Sequence, residues 1–160
     1  MVSQEELKKV EFLRNLEQEH IETLALLAQL KECPAGAVLF CEGEDSPNIY
    51  FLLSGRVTLA VKGSDGEAAE ICVARPGELL GWSPMLGRHA MTGTARAATT
   101  TRLAAFNVKA ITELGEQYPR FGIAFFQEIA RTLSDRLWAI RHRLALENRI
   151  PLMTQVEGSD

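Results

Sequence analysis

The residues best equipped for chemistry lie together at 77–99, GELLGWSPMLGRHAMTGTARAAT. Gly81-Trp82-Ser83-Pro84-Met85 fits four of the five positions of the G-x-S-x-G turn that lifts a nucleophilic serine above a sheet. Met85 replaces the last glycine, and only His20, His89 and His142 are available as a base. The flanking sequence also lacks the alternating strands and helices of that fold. A serine hydrolase using Ser83 is therefore a remote alternative, and the expectation is a protein that is not an enzyme. Ser83-Pro84 has a simpler meaning. Serine is a preferred helix cap and proline a preferred first helical residue, so one turn should run to Leu86 and end at Gly87. The start of a helix offers unpaired N–H groups and a positive dipole end, which suit an anion.

Other site chemistries find no support. His20 and His142 fall in helical sequence and His89 stands alone, so no metal-binding cluster of His and carboxylate ligands is predicted. Walker and G-x-G-x-x-G loops are absent. Cys33, Cys41 and Cys72 are odd in number, without a Cys-x-x-Cys, and read as buried thiols in a reducing compartment. A net charge of −4 argues against a duplex-coating DNA binder. No apolar run would span a bilayer, and the charged start MVSQEELKKVEFLRNLEQ lacks a signal-peptide segment, so no membrane role and a cytoplasmic address are expected.

The elements that must hold this stretch follow from periodicity. The chain's 160 residues suit one core. Val10, Phe12, Leu13, Leu16, Ile21, Leu24, Leu27 and Leu30 recur at helical spacing and place N-terminal helices over 1–33. From Pro34 the runs AVLFCEGE, NIYFLLSGRVTLAVK, EAAEICVARPG and TARAATTTRLAAFN are β-rich and divided by turn residues at nearly even intervals. The fold class is mainly β with flanking helices: an antiparallel jelly roll (double-stranded β-helix) over 34–106. Asn107 is expected to cap a helix ending at Pro119, and C-terminal helices fill 107–150, leaving a tail over 151–160. In the last helix Ile123, Phe126, Ala130, Leu133, Leu137, Ile140 and Leu144 are spaced 3, 4, 3, 4, 3, 4, a heptad seam that predicts a homodimer. Phe121, Phe125 and Ile129 form a second edge facing the roll. Basic residues Arg131, Arg136, Arg141, Arg143 and Arg149 wrap around this helix and read as partners of its dipole, so no DNA contact is expected.

With these elements in place, the chain resembles the cyclic-nucleotide-binding domains of the catabolite activator and Fnr family over residues 12 to 147. The resemblance is carried by Phe12-Leu13-x-x-Leu16, Pro34-x-Gly36-x-x-Leu39-Phe40-x-x-Gly43, Ile49-Tyr50-Phe51-Leu52-Leu53-Ser54-Gly55 and Pro76-Gly77-Glu78. It implies a regulatory, ligand-sensing module acting on an effector protein, with a ligand-free dimerisation or partner-binding scaffold of the same fold as the alternative. It also implies a stand-alone module, because the winged helix of the family's transcription factors is not expected in the nine residues after Pro151. Laid on the family's phosphate cassette without gaps, the cassette glycine falls on Gly81 and the ribose-binding Glu on Trp82. The phosphate-binding Arg falls on Met91 and the small residue after it on Thr92, while the base contact from the last helix falls near Arg136 and Leu137. The implied pocket is thus Leu80, Gly81, Trp82, Ser83, Met91, Thr92 and Arg136, with Arg88 and Arg96 as replacement anion contacts. Cyclic AMP or GMP should not bind in the usual way. No cofactor is assigned, and a small anionic or nucleotide-like ligand is the class such a pocket would take.

Overall fold

The computed structural model describes residues 2–87 and 90–146. Eight antiparallel strands form two four-stranded sheets, in the orders β1-β8-β3-β6 and β2-β7-β4-β5. The strands are β1 (Gln29–Cys33), β2 (Val38–Phe40), β3 (Asn48–Ser54), β4 (Val57–Lys62), β5 (Ala68–Ala74), β6 (Leu79–Leu80), β7 (Thr94–Ala97) and β8 (Thr101–Asn107). Helices α1 (Gln4–Lys8) and α2 (Gln18–Leu27) precede the roll, and α3 (Val108–Gln117) and α4 (Pro119–Leu146) follow it. This is the expected jelly roll with flanking helices.

Two apolar clusters hold it together. Inside the roll, Phe40, Tyr50, Leu52, Leu59, Met91 and Leu103 are buried between the sheets. On the outer side of the first sheet, Phe12, Phe51, Phe106, Phe121, Phe125 and Ile129 bind the helices to the strands, with Phe12 lying 5.0 Å from both Phe51 and Phe125. The expected inner edge of α4, Phe121, Phe125 and Ile129, is buried.

Several local features match their sequence signals. Asn107 caps α3, its side chain accepting from the N–H groups of Lys109 and Ala110. The hairpin between β4 and β5 closes with the Gly63 N–H donating to the Glu67 carbonyl at 2.7 Å. Pro119 both follows α3 and begins α4, where its missing N–H costs nothing. Here α3 and α4 cross at glycine: a Cβ on Gly122 would stand 3.1 Å from the Gly115 carbonyl oxygen.

Two expectations are corrected. The roll begins at Gln29, not Pro34, because Gln29–Cys33 pairs in register with Thr101–Ala105 of β8. Leu30 therefore belongs to a strand, and the N-terminal helices end at Leu27. Only a partner some 70 residues away makes QLKEC a strand, since its Gln, Lys and Glu carry little β preference. The cysteines also differ from one another: Cys33 is buried, Cys72 half-buried and Cys41 exposed. The expected tail over 151–160 lies outside the described residues.

Candidate functional site

The expected pocket is built where β6 leaves the roll. Leu80 is fully buried and pairs with Tyr50 of β3, which fixes the point of departure. The next residue, Gly81, turns the chain with φ +68°, and a Cβ there would stand 3.0 Å from the terminal methyl of Met91 and 3.4 Å from the rings of Phe40 and Tyr50. Glycine is thus required both for its dihedral and for the space it leaves. A single 3-10 turn, Ser83–Leu86, follows and ends at Gly87.

The turn stands where the sequence predicts it, but its cap does not. Trp82 occupies the cap position and makes no side-chain cap hydrogen bond. Ser83 is buried, and its hydroxyl shares a hydrogen bond of 3.1 Å with that of Thr92. One 3-10 turn aligns few peptide dipoles, so the anion site expected from a helix start loses most of its physical basis.

Gly81, Trp82, Ser83, Met91, Thr92 and Arg136 line one small cavity of about 70 Å³. Phe40, Leu59, Ile71 and Gly93 also line it and were not anticipated. They come from β2, β4, β5 and the approach to β7, and only strand alternation in a known register could have marked them. Leu80 does not line the cavity and packs behind it in the roll. Met91 is 2% exposed, and its backbone is locked to the turn after β2, donating to the Glu44 carbonyl and accepting from the Gly43 N–H, both at 2.8 Å. Trp82 is partly buried and packs against the helix-side cluster.

The charged candidates separate. Arg136 reaches the cavity, but its guanidinium donates to the Leu79 carbonyl at 2.8 Å and lies 3.7 Å from the Glu78 carboxylate. Arg96 is on the outside of β7, because Ala95 and Ala97 take the inward positions. It donates to the Gly36 carbonyl at 2.6 Å and does not line the cavity, which corrects its expected role as a replacement anion contact. Arg88 and His89 lie outside the described residues. Nearby, burial pushes the Cys72 thiol up from its usual range, with Arg136 opposing. The thiol therefore stays protonated at neutral pH. Neither described histidine serves Ser83: His20 packs between Tyr118 and Phe121, and His142 stacks on Trp138. Among the described residues, no group of His, Cys, Asp and Glu could hold a metal.

The match that decides the family covers the roll and α3: residues 30–118 fit the cyclic nucleotide-binding domain model. This chain belongs to the cyclic nucleotide-binding domain family. Among solved members, a Geobacter metallireducens protein named for cyclic nucleotide binding is 28% identical with a TM-score of 0.76, covering 86% of this chain and 99% of that one. A cyclic nucleotide-binding domain from Methylobacillus flagellatus has the same fold, with a TM-score of 0.81 at 17% identity, covering 93% of this chain and 87% of that one. The CRP-like cAMP-activated global transcriptional regulator of Mycobacterium tuberculosis is 23% identical over 139 residues, 87% of this chain and 60% of that protein. Lysophospholipase nte1 of Aspergillus oryzae is 28% identical over 101 residues, 63% of this chain. The chain spans only 7% of that enzyme's length. No described helix of this cyclic nucleotide-binding domain is long and apolar enough to cross a membrane.

Proposed function

We propose that this chain is a regulatory module in which its own side chains close the family's nucleotide site, and that it works through α4 as a dimerising, partner-binding element. The observation that carries this reading is the cavity of about 70 Å³. Small-molecule sites run to roughly 300–1,000 Å³. The space is several-fold below that range. If Met91 and Trp82 stand at the phosphate and ribose positions, as the cassette alignment has it, then a cyclic phosphate entering here would lack its cationic partner. That omission costs roughly 3–5 kcal/mol, or about two to three decades of affinity or more.

The dimer reading is supported by the outer side of α4. Ile123, Phe126, Leu137 and Ile140 are all exposed, at 61%, 44%, 55% and 42%, while Leu133 and Leu144 are half-buried and Ala130 exposed. A helix holding one apolar edge against the roll and offering a second at heptad spacing is suited to pack on a copy of itself.

Calorimetry with cyclic AMP and cyclic GMP, followed by native mass spectrometry, tests both parts. The expected outcome is a dimeric mass and no saturable heat up to about 1 mM nucleotide, where a dissociation constant corresponds to about −4 kcal/mol. Micromolar binding of either nucleotide would overturn the closed site. A monomer would overturn the seam.

A further inference from the structure

Ile129 is the last fully buried residue of α4, and from Leu137 to Leu146 every position is exposed except half-buried Leu144. The end of this helix therefore stands clear of the roll. Its charge is unlike the rest of the chain. Residues 136–146, RLWAIRHRLAL, carry three arginines and a histidine without one carboxylate. Set against −4 overall, this +3 segment leaves −7 on the remaining residues.

The segment also presents an aromatic surface that neither the roll nor the seam uses. Trp138 is 66% exposed, and its ring stacks on that of His142 with centroids 4.9 Å apart and planes 11° from parallel. At about 100° per residue, Trp138 lies roughly 120° around the helix from the seam, so it stays outside when two copies pair. A large rigid aromatic with arginine beside it is the composition of an interface hot spot. Arg141 is exposed and has no ion-pair partner among the described residues.

We propose that this outer face of α4, with Trp138 on His142 as its apolar anchor and Arg141 as its cation, docks an acidic amphipathic helix of an effector protein. Charge complementarity selects the occupant. A broad anionic body such as a lipid surface or a nucleic acid would also meet the field of the −7 remainder, whereas a single acidic helix touches only the basic segment. The inference rests on the chain being a partner-binding module, and it needs neither an open nor a closed nucleotide cavity.

The test uses the full chain. A displayed library of amphipathic helices is selected against it, and the enriched peptides are titrated while the emission of Trp138 is followed in a Trp82→Phe background. Expected are enriched sequences rich in Glu and Asp and a saturable blue shift. Binding should weaken about tenfold or more, ~1.4 kcal/mol, in both Trp138→Ala and Arg141→Glu, with the dimeric mass unchanged in Trp138→Ala, whose position lies away from the seam. Enrichment of neutral or basic helices, no enrichment, or binding indifferent to both substitutions would overturn the proposal. A matching shift with phosphatidylserine vesicles or a duplex RNA, and none with acidic peptides, would also overturn it and assign the face to that surface. Because the cyclic nucleotide titration reads only the cavity, failure here and failure of the closed-site reading are told apart.

Discussion

A Cβ added at Gly81 would stand 3.0 Å from the terminal methyl of Met91, so these two residues leave no room between them for a larger side chain. Met91→Ala should cost about 2–5 kcal/mol by leaving a hole the roll closes only partly, read as a lower urea midpoint with an unchanged slope. Gly81→Ala should also destabilise, since alanine meets both the +68° dihedral and the Met91 methyl. A second residue-scale prediction concerns Glu6. Its carboxylate accepts the Ser3 backbone N–H at 3.0 Å and the Arg102 guanidinium at 2.8 Å, and these, in that order, lower its pKa. The folded carboxyl thus releases its proton at lower pH than the unfolded one. The contribution is whole above the unfolded value of about 4.3 and is lost as pH falls through the lower folded value. Glu6→Gln keeps an oxygen for the capping box but loses the charge that faces Arg102, so it should be less stable than the parent at neutral pH, and the two proteins should converge in denaturant stability toward acid. Among these residues the glycine and the turn were readable from local sequence, because dihedral demands are local. Ser83 was not: its hydroxyl turned to Thr92, and nothing within the loop reveals that partner.

At the scale of elements, α4 carries two apolar edges. Phe121, Phe125 and Ile129 are buried against the roll, Ile123, Phe126, Leu137 and Ile140 are exposed, and Leu133 packs on the helix-side cluster. Leu137→Asp should leave the melting of the monomer within ~0.5 kcal/mol, as surface changes do, yet convert the native mass to that of a single chain. Gly122→Ala tests the crossing with α3. Its added methyl would stand 3.1 Å from the Gly115 carbonyl oxygen, so about 1–3 kcal/mol of overpacking is expected, measured by thermal unfolding. The helices and the hairpin were legible because amphipathic period, cap and turn residues are properties of a window of a few residues. Strand β1 was not legible, being polar and defined only by its register with β8.

For the molecule as a whole, the two sheets, the covering helices and the small cavity beneath the 3-10 turn make one arrangement. If the nucleotide site is closed, cyclic AMP should leave the melting temperature unchanged at about 1 mM, whereas a ligand that saturates at 100 times its dissociation constant adds about 2.7 kcal/mol. By itself the sequence determined the class of fold and the inner edge of α4, because those follow from hydrophobic period, turn chemistry and motif spacing. Only the tertiary structure decided how much room is left among the gathered side chains. It set Arg96 outside the roll through the alternation of β7, tied Arg136 to Leu79 and Glu78, and left Trp138 uncovered. Volume, pairing and exposure depend on contacts between residues far apart in the chain, and no local pattern encodes them.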